Sequence, residues 1–346
     1  MPQDRDYTFR RLDEVWNRDD IPVLETSGNK YIFFSDLHLG NGGDADDFHE
    51  NEETLLTALD YYQSQGYKLI LAGDIEELWQ FSLEEARARY GASIYAAIRK
   101  FGDANVYRIF GNHDCDWCAV PPDPIKNVPS RFGLATEGLK MKDQVGNVKI
   151  FVCHGHQGNI ESDKDKWISR PAVRLFRLVE PVAKMLGITR HPPAIRSQVI
   201  KLYERIFYQW AKKAKVLIIC GHSHRAIFAS KSWIEICREK KNGIEELIRA
   251  KGSDRQFVKE KRQEIKELDK EIKKDLKRGL EIISVEVGRA PYPLYFNTGC
   301  GLYEDGITGI EIENDMIKLV KWNRGQCPPP EIYQKGTLSA YISQIP

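Results

Sequence analysis

Short apolar runs that each end in a polar cluster recur along the first two thirds of the chain. Five of them are rich in β-branched and aliphatic residues: Tyr31–Asp36, Leu69–Asp74, Val106–Asn112, Val148–His154 and Val216–His222. Runs without polar alternation predict strands that are buried on both faces. Between the first three, Glu52–Gln65 and Leu83–Lys100 have the spacing and composition of helices. This order predicts an α/β core with crossover helices.

In the last third of the chain, the apolar runs follow one another more closely. They leave no room for helices between them, and they are Glu281–Val287, Leu294–Asn297, Gly309–Glu313 and Met316–Trp322. Closely spaced runs of this kind predict antiparallel strands, which we assign to a second sheet. The tail from Arg324 is expected to wrap the surface. We therefore expect an α/β fold, specifically a two-sheet αββα sandwich with helical insertions.

Two helical insertions interrupt this alternation of strands and helices. Residues 160–215 show helical apolar spacing and predict a helical insert that caps the core. Residues 232–280 are rich in charge, and their apolar positions Ile265, Leu268, Ile272 and Leu276 follow a 3-4-4 spacing. That pattern predicts a charged helical hairpin that projects from the body. We expect residues 1–346 to form a single domain that carries both insertions.

Composition and charge narrow the functional classes. The 346 residues are 42% hydrophobic and 29% charged, which is typical of a globular protein. No stretch approaches the roughly 18 apolar residues of a membrane span, and the seven cysteines favour reduced thiols. We therefore expect a cytoplasmic location. The net charge of +1 hides local balances of +10 over residues 164–215 and +5 over residues 238–278, which leave −14 for the rest. An acidic body suits cations, and basic insertions suit an anionic ligand.

The chemistry is concentrated where the predicted strands end. The clusters are Asp36-Leu37-His38, Gly73-Asp74, Gly111-Asn112-His113-Asp114, His154-Gly155 and Gly221-His222-Ser223-His224, and they contain five of the eight histidines. Open α/β sheets place their ligands beyond the carboxyl ends of the strands, so these clusters should converge. Carboxylate, imidazole and amide groups together form a ligand set for transition metal ions and are too rich in nitrogen for calcium.

This ordered set of motifs resembles the calcineurin-like metallophosphoesterase superfamily, over roughly residues 30–230 and the strands that follow. The resemblance implies that Asp36, His38 and His224 hold one divalent metal ion and that Asn112, His154 and His222 hold another. Asp74 would bridge the two ions. Mn²⁺ is the expected metal, with Fe²⁺, Zn²⁺, Ni²⁺ or Mg²⁺ as alternatives. The chain departs from the pattern at Glu77, where many members have Asp.

The resemblance also implies a reaction. A hydroxide that bridges the two metal ions would attack a phosphate ester or a pyrophosphate. His113 would protonate the leaving group, with Asp114 orienting or charging it and Asn112 beside it. One alternative is a non-catalytic protein-binding scaffold with this fold, although such members lose ligands that this chain retains. Another is a nuclease, but the basic residues lack an aromatic-studded groove, so we expect no stable binding of nucleic acid.

Within the superfamily, the segments Ser35–Gly40 and Glu77-Leu78-Trp79 and the basic insert look most like the UDP-2,3-diacylglucosamine pyrophosphohydrolase branch. That resemblance implies a lipid-linked nucleotide as substrate, with a phosphorylated small molecule as the broader expectation and peripheral membrane contact as an open alternative. His156 stands where the branch usually has Asp. Candidate substrate residues are Arg170, Arg174, Arg177 and His156. The sequence leaves the oligomeric state open.

Overall fold

A computed structural model of the chain describes residues 5–116, 135–158, 194–250, 254–277 and 292–346. The side chains of residues 194–201, 275 and 277 are not part of this description. The predicted strand Glu281–Val287 and most of the predicted insert at residues 160–215 therefore lie outside the described residues.

Thirteen strands are present among the described residues. In chain order they are β1 Val23–Glu25, β2 Lys30–Phe34, β3 Lys68–Ala72, β4 Val106–Ile109, β5 Gly138–Lys142, β6 Val148–Cys153, β7 Leu217–Cys220, β8 Ala226–Phe228, β9 Lys231–Ser232, β10 Tyr295–Thr298, β11 Gly306–Glu313, β12 Met316–Asn323 and β13 Glu331–Thr337. They form a six-stranded sheet in the order β13-β12-β11-β2-β3-β4 and a seven-stranded sheet in the order β1-β5-β6-β7-β10-β8-β9.

Eight helices are described beside these strands. They are α1 Arg5–Trp16, α2 Glu52–Ser64, α3 Leu83–Tyr90, α4 Ile94–Arg99, α5 Ala194–Ala214, α6 Trp233–Ala250, α7 Arg255–Lys277 and α8 Leu338–Ile342. The crossover helices between β2, β3 and β4 were predicted, as was the hairpin of α6 and α7. Helix α5 lies at the end of the predicted helical insert. None of the described helices is long and apolar enough to cross a membrane.

Two layers of buried side chains explain the sandwich. Phe33 and Ile70 face a core between the sheets, which also contains the paired Ile150 and Leu217 of the second sheet. Because side chains alternate along a strand, Ile32, Leu69 and their neighbours face the other way, toward α2 and α4. On the far side of the second sheet, α1 and α5 contribute Leu12, Val15, Phe207 and Trp210. The predicted two-sheet αββα sandwich is confirmed.

The assignment of the late strands to a separate second sheet is wrong for β11 and β12. Strand β11 pairs antiparallel with both β12 and β2, so these late strands extend the first sheet. Strand β10 instead pairs parallel with β7 in the other sheet. The tail does not merely wrap the surface, because β13 pairs with β12 at the sheet edge. Local apolar patterns predict strands, but the choice of partner is made by packing between distant segments.

Candidate metal centre

Five strand ends meet at one edge of the sandwich. Strands β2, β3 and β4 are mutually parallel, so Asp36, Asp74 and Asn112 emerge at the same end of the six-stranded sheet. Strands β6 and β7 are parallel in the other sheet, so His154 and His222 emerge together there. Backbone hydrogen bonds join the loops: the N–H of Asp36 donates to the carbonyl of Gly73 at 3.0 Å, and that of Gly221 donates to the carbonyl of His154 at 2.8 Å.

The backbone at these loops is strained in a consistent way. Five of the seven candidate metal ligands have a left-handed backbone: Asp36 (φ 51°), His38 (φ 53°), Asp74 (φ 51°), His222 (φ 65°) and His224 (φ 56°). A side chain in this region costs about 1–3 kcal/mol each, so it persists only where the surroundings fix it. The tight turns aim the carboxylates and imidazoles of successive loops into one space. Strain of this kind is typical of ligand-binding sites.

The first donor set consists of Asp36, His38 and His224, whose ligand atoms all lie within 4.8 Å of one another. The Nε2 atom of His224 is 3.2 Å from a carboxylate oxygen of Asp36. The Nε2 atom of His38 is buried and has no hydrogen-bond partner among the described residues. An unsatisfied buried nitrogen is costly unless something binds it. These are the three residues predicted to hold one metal ion.

The second donor set consists of Asp74, His154 and His222, again with ligand atoms within 4.8 Å. His154 Nδ1 is 2.9 Å from the carbonyl of Ala72, which can only accept, so Nδ1 donates and Nε2 is the coordinating nitrogen. That Nε2 lies 3.0 Å from Asp74 and 3.9 Å from Asp36. The amide oxygen of Asn112 is buried without a hydrogen-bond partner. The set therefore contains His154 and His222, two of the three residues predicted for the second ion, together with Asp74. The place of Asn112 as the third ligand stays a prediction.

These donors fit divalent metal ions. Nitrogen and oxygen atoms are gathered from separate loops, and two of the buried ones have no hydrogen-bond partner within the described protein: Nε2 of His38 and the amide oxygen of Asn112. Imidazole together with carboxylate suits Mn²⁺, Fe²⁺, Zn²⁺ and similar ions, and supplies too much nitrogen for Ca²⁺. A buried array of this composition is difficult to explain by packing alone.

His113 stands beside the two donor sets and is held by different contacts. Its Nδ1 is 2.7 Å from one carboxylate oxygen of Glu77, whose other oxygen is 2.8 Å from Nδ1 of His38. The indole of Trp79 stacks on the His113 ring, with centroids 4.3 Å apart and planes at 18°. Trp79 also donates through Nε1 to the carbonyl of Asn112 at 2.8 Å. Glu77 and Trp79 together fix the orientation of the His113 imidazole.

His38, Glu77 and His113 also satisfy the distance criterion for a metal site. We assign this third group to orientation, because Glu77 already accepts from Nδ1 of both imidazoles. The atom of His38 left without a partner is Nε2. That atom lies on the side of Asp74, 3.9 Å from its carboxylate.

Asp114 has different contacts from those we expected. Its carboxylate accepts from the N–H groups of Ile75 at 2.9 Å and Gly111 at 2.6 Å, and from Arg108 at 2.8 Å. Arg108 in turn pairs with Glu76. Asp114 is fully buried, and the carboxylate that contacts His113 is that of Glu77. Asp114 therefore stabilises the loop that carries His113, and the orienting contact belongs to Glu77.

Comparison with protein families identifies the fold that carries this centre. A model of the calcineurin-like phosphoesterase family matches residues 30–226, more than half of the chain and every strand end described above. The chain belongs to the calcineurin-like phosphoesterase family. A search of curated proteins found no match. Membership and the donor sets together make this a phosphoester hydrolase that depends on divalent metal ions.

Burial and charge set the protonation of this phosphoesterase centre. Burial alone would raise the pKa of Glu77, but His113 and His38 outweigh it and lower the pKa to about 2. Burial lowers the pKa of His38, but Glu77 and the two aspartates raise it to about 9. For His222, burial and the neighbouring His154 lower the pKa to about 3. The carboxylates are therefore ionised, and metal binding must displace protons from some imidazoles but not from His222.

Close approach of the loops requires small residues and supporting hydroxyls. A Cβ on Gly221 would collide with Ser35 and with the carboxylate of Asp36. Asn297 donates to the carbonyl of Gly221 at 2.6 Å, which secures the loop before His222. Thr298 bonds to the Ser35 hydroxyl, which in turn donates to Asp36. Sequence reasoning missed Asn297 and Thr298, although a polar pair at the end of a strand is the signal that found the other clusters.

The predicted substrate residues have a mixed outcome. Arg170, Arg174 and Arg177 lie outside the described residues, so their role stays a prediction. His156 is only 1% exposed, with its ring 5.6 Å from that of His154 and 6.1 Å from that of Phe110. This burial argues against direct substrate contact. His156 packs beside a predicted ligand and is placed to support it.

Proposed function

We propose that this chain is a dinuclear metal-dependent phosphoesterase that hydrolyses a phosphate ester or a pyrophosphate. The observation that carries the proposal is the adjacency of two separate donor sets. Nε2 of His154 lies 3.0 Å from the carboxylate of Asp74, which belongs to the same set. The same atom lies 3.9 Å from the carboxylate of Asp36, which belongs to the first set. Each set contains one carboxylate and two imidazoles, so the two sets offer ligands for two cations rather than one. Asp74, with contacts to His154 and His38, is the candidate bridge.

Divalent ions bound there supply Lewis acidity, which makes water nucleophilic near neutral pH and offsets the charge of a phosphate. The chain holds these ions through buried, ionised carboxylates. The pKa of Asp74 lies well below its usual value because the positive charges of His154 and His113 outweigh the effect of burial. The positive φ values of Asp36, Asp74 and His224 fix the donors before any substrate arrives. Such preorganisation limits the rearrangement that the reaction requires.

His113 is the group proposed to protonate the leaving oxygen. Glu77 accepts from Nδ1, so Nε2 of the imidazole is the atom that can carry a proton to the substrate. The side chain is 22% exposed, more than any carboxylate in its surroundings, and is thus accessible from solvent. As the phosphorus–oxygen bond breaks, the proton on Nε2 passes to the departing oxygen, while Glu77 retains the opposite N–H. General acid catalysis of this type contributes roughly 10²–10⁴-fold.

A substrate panel tests the proposal. Manganese-loaded protein is assayed on nitrophenyl phosphate, bis-nitrophenyl phosphate, a nucleotide pyrophosphate and a lipid-linked nucleotide pyrophosphate. We expect turnover of at least one, together with two metal ions per chain by elemental analysis. Metal-saturated protein that leaves all four compounds intact would contradict the enzymatic proposal and favour a non-catalytic scaffold. One tightly bound ion with full activity would contradict the dinuclear part alone.

A lipid-linked nucleotide is the more specific alternative within this proposal. Support comes from the motif Glu77-Leu78-Trp79, in which Glu77 and Trp79 both contact His113. The basic segment at residues 164–215 provides cationic groups for a second phosphate. A rate on this compound no higher than on bis-nitrophenyl phosphate would redirect the assignment toward a general diesterase.

A further inference from the structure

Helix α7 separates its charges by sign. Lys261 and Lys274 lie on other faces, whereas six basic residues with described side chains recur every three or four positions along one face: Arg255, Lys259, Arg262, Lys266, Lys270 and Lys273. We call this set the basic stripe. With 3.6 residues per turn, the spacing puts all six on one face, over about 27 Å of helix. Four acidic residues form a second row on a different face: Glu260, Glu264, Glu267 and Glu271.

This arrangement disfavours the isolated helix. Neighbours along the basic stripe are three or four residues apart, so like charges face each other at every step. Pairs of this kind destabilise a helix by about 0.2–0.5 kcal/mol each, whereas alternating signs would stabilise it by a similar amount. A merely soluble helix surface gains nothing from the segregation. The pattern therefore indicates an external partner of opposite charge.

The basic stripe is also accessible. All six of its side chains are exposed. Lys270 lies 3.0 Å from Glu267 on the same helix, and for the other five no ion pair occurs with any described residue. The stripe faces away from the rest of the fold, because Lys274 pairs with Asp305 of the body and Ile272 is buried against α6. Within the described protein, only Glu267 competes for the stripe, through its pair with Lys270.

We propose that the basic stripe docks the protein on an anionic lipid surface. A straight row of charges can contact a flat surface along its whole length at once. Lysines outnumber arginines in the stripe by four to two, and lysine acts as a point charge suited to a diffuse field of headgroups. The acidic row then faces away from the membrane, so the helix has one preferred orientation.

Other partners fit these observations less well. Single-stranded nucleic acid requires aromatic platforms for its bases, and the basic stripe contains none. The aromatic residue of α7, Phe257, is half-buried on another face. A dimer formed through α7 would need an exposed apolar face on this helix. The apolar positions Ile265, Leu268 and Ile272 instead lie on the face of α7 that is turned toward the other helix of the hairpin. Docking is therefore electrostatic and reversible, without insertion into the bilayer.

Vesicle sedimentation tests this proposal. Full-length protein is mixed with vesicles of phosphatidylcholine alone or of phosphatidylcholine with phosphatidylserine. We expect binding to the anionic vesicles only, and its loss in about 1 M salt, where the screening length falls to about 3 Å. The triple variant Arg262→Gln, Lys266→Gln, Lys270→Gln should bind about 100-fold more weakly, since each basic residue near such a surface contributes roughly fivefold.

A matched control removes the same charge elsewhere. Arg10, Lys215 and Lys335 are exposed and lie outside the hairpin, so the triple Gln variant at these positions should bind within about twofold of the unmodified protein. Circular dichroism of both variants establishes that α7 remains folded. Equal weakening by the two variants would overturn the proposal, because net charge alone would then explain binding. Equal binding to both vesicle types, tighter binding to RNA or DNA, or a dimer disrupted by the stripe variant would also overturn it.

Discussion

The metal centre and helix α7 both gather charged side chains into a small space. At the centre, Nε2 of His38 and the amide oxygen of Asn112 are buried and have no hydrogen-bond partner among the described residues, which is costly. On α7, Arg262 and Lys266 are exposed, and each lies next to another positive charge. In both places the local arrangement is unfavourable without a partner. The expected partners of the two regions therefore differ. At the metal centre they are cations bound inside the protein, and at α7 the partner is an anionic surface outside it.

The largest expected effect comes from removing the charge of the candidate bridge. Asp74→Asn should lower activity by at least about 10³-fold, because both ions lose a shared anionic ligand. Elemental analysis should find fewer than two ions per chain. The matched control is Asp60→Asn, which breaks only an exposed contact with Lys100 and should leave both activity and metal content unchanged. An Asp74→Asn protein with full metal content and activity would show that the charge of Asp74 is not needed for metal binding.

Replacing His113 should affect chemistry without affecting metal content. His113→Ala should lose about 10²–10⁴-fold in kcat on substrates with poor leaving groups, because those require a proton. Nitrophenyl substrates, whose leaving groups need no proton, should lose far less. Steady-state assays on an alkyl and a nitrophenyl ester, with metal analysis of the same sample, measure the difference. Equal losses on the two substrates would remove His113 from the role of proton donor.

Glu77 should act through the imidazoles that it orients. Glu77→Gln should reduce activity about 10–100-fold, the usual cost of losing a carboxylate that positions a metal ligand. It should also lower the pKa of His38 from about 9, because burial then acts without the largest opposing contact. Titration of the metal-free protein by NMR measures this shift. Glu77→Asp restores the charge and should recover part of the activity, whereas Glu50→Gln at an exposed pair should change nothing.

The smallest expected effect concerns α7, and it is a gain in helix stability rather than a loss of activity. Lys266→Glu turns the attractive pair with the neighbouring Asp269 into a repulsive one. It also places an acidic residue between Arg262 and Lys270, which replaces two repulsive pairs by two attractive ones. Each new pair should stabilise the helix by about 0.2–0.5 kcal/mol. Slower amide hydrogen exchange in α7 would show the gain, and hydrolysis of small esters should not change. Faster exchange would mean that the like charges are already compensated within the fold.

Particular elements show how far sequence patterns reach. The strands before Asp36, Asp74, Asn112, His154 and His222 were predicted from apolar runs, because a buried strand needs apolar side chains over its whole length. The hairpin of α6 and α7 was predicted from helical spacing in the same way. Short strands such as β1, β8 and β9, of three or two residues, leave too few positions for any period to be recognised. Helix α1 was also missed.

The sequence by itself determined which residues carry the chemistry, because each cluster follows its own strand and the order of strands is written along the chain. Only the tertiary structure decided how distant segments combine. It brought β11 beside β2, set Asn297 against Gly221, and gave the His113 contact to Glu77 while Asp114 was satisfied by Arg108. Contacts of this kind depend on distances between loops that are far apart in sequence, and no local pattern encodes such distances.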